Sequence, residues 1–232
     1  MTNASRQGGY TMVEVLVAIV VFSIVSAGLY QVLVAQAGVA EHTRSISHIA
    51  SESRLGFNRM VRDVREADAI TWVSPSRNQF TIQVNYDGNG FYENPNANGD
   101  DEILTYTYDP VAETVTLCNA IVYSSCNSSN TEILMSGTRT VDASTPVFSF
   151  SSSNLEYDWG NDAGGAPDGV TTWEEIDEAS GAAHNIVGVG NDNDVLDAAE
   201  FPFLTTVAFA MKQTNDGRST DFYGRAQLRN RS

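Results

Sequence analysis

The chain has 232 residues, 42% of them hydrophobic and 18% charged, with 13 Lys and Arg against 29 Asp and Glu and a net charge of −16. That length suits one domain or one domain with an appendage, and the apolar fraction is too high for a disordered chain. The acidic excess argues against sequence-independent binding of phosphate backbones, so nucleic acid is not expected as a partner. The charge is also uneven. Residues 1–65 carry six Arg and four acids, residues 66–211 carry 23 acids and two Arg, and residues 212–232 carry five basic residues against two acids.

The first element is apolar. Val15 to Ala40 is a run of 26 uncharged residues, VLVAIVVFSIVSAGLYQVLVAQAGVA. As a helix it reaches about 39 Å, enough to cross a hydrocarbon core of ~30 Å. A buried core helix seldom stays uncharged for so long. An ordinary secretory signal would need a more basic start than the single Arg6 and a shorter apolar stretch. Glu14 stands at the head of the run, where an ionised carboxylate is costly unless it has a partner and a purpose.

The segment Gly9-Tyr10-Thr11-Met12-Val13-Glu14, followed by the apolar helix, resembles the type IV prepilin family, which includes the type II secretion pseudopilins. The family pattern is a short polar leader ending in Gly, an aromatic residue, two or three small or apolar residues and a Glu. Tyr10 stands where Phe is usual and keeps the aromatic ring. The resemblance implies a leader over 1–9, cleavage between Gly9 and Tyr10 by a prepilin peptidase, and N-methylation of Tyr10. It further implies that Glu14 answers the N-terminal amine of a neighbouring subunit. The implied partners are that peptidase, other pilins or pseudopilins and an inner-membrane assembly platform. The implied location is a single-pass inner-membrane protein with a periplasmic head, later part of a pilus or pseudopilus.

The helix is expected to continue beyond the membrane. Ile46, Ile49, Ser53, Phe57, Met60 and Val64 recur at steps of three and four, with arginines largely elsewhere, which is one amphipathic face. No proline interrupts the chain before Pro75. The expected parts are therefore a transmembrane and assembly helix over 10–40, its amphipathic continuation over 41–67, and an acidic β-rich head over 68–232. The stretch SRLGFNRMVRDVREADAI is also similar to the corresponding part of PilW-type minor pilins and GspJ-type pseudopilins.

Past Ala67 the pattern alternates. Phe80, Ile82 and Val84, then Leu104, Tyr106 and Tyr108, then Val115 and Leu117, then Val207, Phe209 and Met211 mark strands. A last strand is expected near Phe222–Leu228. The predicted fold class is α+β and pilin-like: a long N-terminal helix laid against an antiparallel sheet. In an exported head, Cys118 and Cys126 are expected to form a disulfide.

Three loops rich in Asp, Asn and Gly (86–102, 158–169 and 190–200) offer hard oxygen ligands of the kind calcium takes. Asp87, Asn89, Asp100 and Asp101 are candidates in the first. Asn191, Asn193, Asp197 and Glu200 are candidates in the last, which looks like a degenerate EF-hand loop with Val189 at the first ligand position and Asp194 in place of the usual Gly. The same residues favour plain turns, so both readings stand. No cofactor is required, and calcium is the one ion considered. No nucleophile–base spacing, HExxH, P-loop or GxGxxG appears, so the chain is not expected to be an enzyme. The expected function is a minor pilin of a type IV pilus; the alternatives are a type II secretion pseudopilin and a tip adhesin or DNA-uptake subunit.

Overall fold

A computed structural model describes residues 11–89, 91–92, 102–119, 126–160, 167–181, 184–215 and 218–229, without the side chains of 37–50, 52, 215 and 218. It divides into two compact units, Met1–His48 and Ile49–Ser232. One helix, α1 (Met12–Glu66), runs through both. Its first part, Met12–Gln36, has a mean hydropathy of 2.5 and is not buried, and it is long and apolar enough to cross a membrane. Leu16, Phe22, Ile24 and Leu33 are all exposed there. A surface of that composition calls for lipid or for other apolar helices.

In the second unit the helix behaves as an amphipathic element. Ser53, Met60 and Val64 are buried, Gly56 sits among them, and Phe57 is half-buried. Ile46 and Ile49, expected on the same face, have side chains outside the described residues. Burying Met60 and Val64 contributes about 1.5–3 kcal/mol each. Gly56 permits the closest approach: a Cβ there would overlap the backbone carbonyl oxygen of Leu134.

The strands form two antiparallel sheets rather than the single sheet expected. The first is a meander of β1 (Ala69–Val73), β2 (Gln79–Gln83), β3 (Ile103–Asp109), β4 (Thr114–Cys118) and β5 (Thr131–Ser136), paired in that order. The second runs β10 (Arg218–Gln227), β9 (Thr206–Asn215), β7 (Phe148–Ser152) and β8 (Thr171–Thr172), with the short β6 (Thr138–Arg139) also pairing β9. The cause lies in the partners of β9. It pairs with β10 over its full ten residues and with β7 on the other side, so it does not extend the meander. Alternation alone announces strands but not which strands share a sheet.

The expected apolar positions do form the core. Phe80, Ile82, Leu104, Tyr106, Val115, Leu117, Val207, Phe209 and Met211 are all buried. Phe80 joins the two sheets, stacking on Tyr106 of its own sheet at 5.2 Å and meeting Phe148 of the other edge-on at 4.9 Å. Tyr106 also donates its hydroxyl to the buried Asp63 carboxylate at 2.6 Å, which ties α1 to the first sheet. Burial and the Asp63 charge push the Tyr106 hydroxyl well above its ordinary range.

Candidate assembly site and the acidic loops

The start of α1 closes on itself. Thr11 precedes the helix, and the Glu14 amide donates to its hydroxyl oxygen at 3.3 Å. In return the Glu14 carboxylate accepts the Thr11 backbone N–H at 3.0 Å and its hydroxyl at 3.2 Å. This is a capping box, which satisfies two helix-end donors and places a negative charge at the positive end of the helix. The sequence carries the signal, since Thr-x-x-Glu before an apolar run is the capping-box pattern. Glu14 stands beside Val15, Ala18, Ile19 and Phe22, so a carboxylate borders an apolar surface. Gly9 and Tyr10 lie outside the described residues.

Cys118, the last residue of β4, is bonded to Cys126 with Cα atoms 5.8 Å apart. The pair closes the connection that leads to β5. In the first acidic loop, Asp87 and Asn89 make local turns: the Asn89 amide donates to Asp87 at 2.9 Å, and the Phe91 amide donates to Asn89 at 2.6 Å. Asp100 and Asp101 lie outside the described residues.

The last loop brings its four candidates together around Asp197. The side-chain amides of Asn191 and Asn193 donate to the Asp197 carboxylate at 3.2 and 3.0 Å, and the Ala199 amide donates at 2.9 Å. The Ala199 amide, then the two Asn side chains, hold the Asp197 carboxyl below its usual range. Glu200 accepts the Asp197 amide at 2.7 Å through Oε2, while its Oε1 is buried without a hydrogen-bond partner among the described residues. Burial raises the Glu200 carboxyl, and the nearby Asp197 and Asp177 charges add to it. Among the described residues, no group of three or more His, Cys, Asp or Glu side chains is arranged to hold a metal ion. The donors that gather in this loop are amides turned toward a carboxylate.

Other acids do work that composition did not reveal. Glu175 forms a capping box with Thr172 at the start of the short helix α2 (Trp173–Glu178). It also accepts the amides of Trp159 and Gly160, both at 3.0 Å. Asp177 accepts the amides of Asn191, Asn193 and Asp194, the last at 2.7 Å. Glu102, fully buried, accepts the Tyr86 amide at 2.8 Å. Each buried carboxylate is satisfied by backbone N–H groups of the loop it anchors.

With the geometry in place, comparison adds one match. Residues 4–30 match the family model for the prokaryotic N-terminal methylation motif. No curated protein and no solved structure matches the chain. The motif supports a type IV pilin-like family, and the apolar helix followed by antiparallel sheets gives an α+β, pilin-like architecture. The apolar helix and the motif are compatible with single-pass membrane anchoring.

Proposed function

We propose that the protein is a minor pilin, a structural and non-catalytic subunit of a type IV pilus that primes assembly or sits near the tip. The observation that carries this reading is the methylation motif over residues 4–30, continuous with an exposed apolar helix headed by Glu14. In this reading a prepilin peptidase cuts between Gly9 and Tyr10 and methylates the new amine. The helix is stored in the inner membrane and then drawn into a bundle of like helices. Glu14 meets the ammonium of an adjoining subunit, which makes a carboxylate at membrane depth tolerable. The Thr11 contacts both engage Oε2 of Glu14. The pseudopilin reading shares every one of these steps and differs in the assembly joined.

The N-terminal mass of the protein from cells tests processing: methylated Tyr10 is expected, and any other mature N-terminus overturns the reading. Glu14→Ala should leave cleavage intact while lowering incorporation into filaments. A charge-assisted hydrogen bond of ~1.5–3 kcal/mol corresponds to roughly 10- to 100-fold. Incorporation of the variant at the wild-type level would remove the proposed pairing.

A further inference from the structure

In a chain with net charge −16, two arginines without an acidic partner among the described side chains line one groove. Among the described side chains, Arg59 pairs with Asp63 and Glu132, Arg62 with Asp63, Arg77 with Glu174, Arg139 with Glu113 and Lys212 with Asp221. Arg65, near the C-terminal end of α1, and Arg225, on β10, have no such pair. Both line a groove of about 640 Å³ together with Ser152, Thr206 and Gln227. The Arg225 guanidinium lies 3.5 Å from the Ser151 hydroxyl, its one described polar contact. Arg229 lines an adjoining cavity of about 170 Å³ that shares Ser153 and Gln227 with the groove. Asp68 is the carboxylate on that side, and Glu66 follows Arg65 in the chain.

Each arginine has a local use. Arg65 complements the negative end of α1, and Arg225 guards the outer strand of its sheet. Neither use requires the two cations to face one polar groove floored by the buried Ser152 and Thr206. Two guanidiniums beside hydroxyl groups suit carboxylate oxygens, which they bind through paired N–H groups. Free polyanions are disfavoured, because the body carries 23 acids over residues 66–211 and repels them. A carboxylate on a subunit held in the same assembly meets the groove at high effective concentration, where modest pairing is sufficient.

We infer that this groove docks a carboxylate-bearing segment of an adjoining subunit, gripped by Arg65 and Arg225. The inference rests on the assembly reading for the source of its partner. The test places a photo-crosslinking residue at Leu155, which is 57% exposed on the groove wall, in the full chain in its native cell. Mapping by peptide mass spectrometry should find an Asp- or Glu-bearing segment of another subunit. Arg65→Glu with Arg225→Glu should lower that crosslink at least tenfold, while Arg54→Glu, outside the groove, should leave it unchanged. Should the double reversal misfold, Arg65→Gln with Arg225→Gln reads the same loss at smaller amplitude.

Absence of a crosslink, a mapped segment without carboxylates, a crosslink to lipid or nucleic acid, or a yield indifferent to both arginine pairs would overturn the inference. The N-terminal mass is read from the same sample. A methylated Tyr10 with no acidic crosslink defeats docking alone, whereas an unprocessed N-terminus defeats the assembly reading.

Discussion

Glu200 is a carboxylate with one oxygen satisfied and the other buried without a partner among the described residues. Glu102, Glu175 and Asp177 face the same problem of burial and meet it with backbone N–H groups supplied by loops. An unsatisfied buried oxygen costs about 1–3 kcal/mol. The raised Glu200 carboxyl sets the sign of the pH effect. A folded-state value above the unfolded one, about 4.3, means the favourable contribution is complete below that value and is lost as pH rises through the folded value. Glu200→Gln keeps the shape, removes the charge and supplies an N–H toward Asp197. Its melting temperature at pH 7 should therefore exceed the wild type by a few degrees, about 2–4 °C per kcal/mol for a domain of this size. As pH falls through the folded and then the unfolded value the gap should narrow, because the wild-type carboxyl takes up its proton. A variant less stable than wild type at pH 7 would show that the charge serves the loop.

At the scale of elements, the long helix was the most legible part of the chain. Its spacing named Ser53, Phe57, Met60 and Val64 as the inward face, and these residues do pack inward. Gly56 lies on the same inward face. In the structure it is the point where the helix meets the Leu134 carbonyl of β5, a backbone atom that cannot turn aside as a side chain can. Gly56→Ala gains about 1 kcal/mol of helix propensity, but overpacking costs ~1–3 kcal/mol. A net fall in melting temperature is expected; a rise would mean that the helix can lift from β5 without loss. The last acidic loop was half legible. Asn191, Asn193, Asp197 and Glu200 do come together, yet their amides point at Asp197, which spacing could not specify.

At the scale of the molecule, the core joining α1 to both sheets lies within Ile49–Ser232, and Met12–Gln36 contributes nothing buried to it. A chain beginning at Ile49 should therefore fold alone. Its thermal unfolding in buffer should be cooperative, with near-ultraviolet circular dichroism showing the fixed aromatic packing around Phe80. A non-cooperative transition with weak aromatic signals would mean that the first unit is needed for the fold.

The net charge of −16 and its asymmetry, the apolar run, the Thr11-x-x-Glu14 cap and the alternating strand residues are local patterns, so the linear chain suffices to read them. The split into two sheets depends on β9 choosing β7 and β10 as neighbours, a pairing between segments far apart in the chain. The division of the acids is of the same kind. Whether an Asp or Glu faces solvent or clasps a loop depends on which backbone N–H groups the folded chain brings within about 3 Å. Asp177 and Glu175 became loop anchors, and Arg65 and Arg225 became neighbours, only when distant segments met. Hydrophobic periodicity records which face turns inward, but not which distant residue waits there.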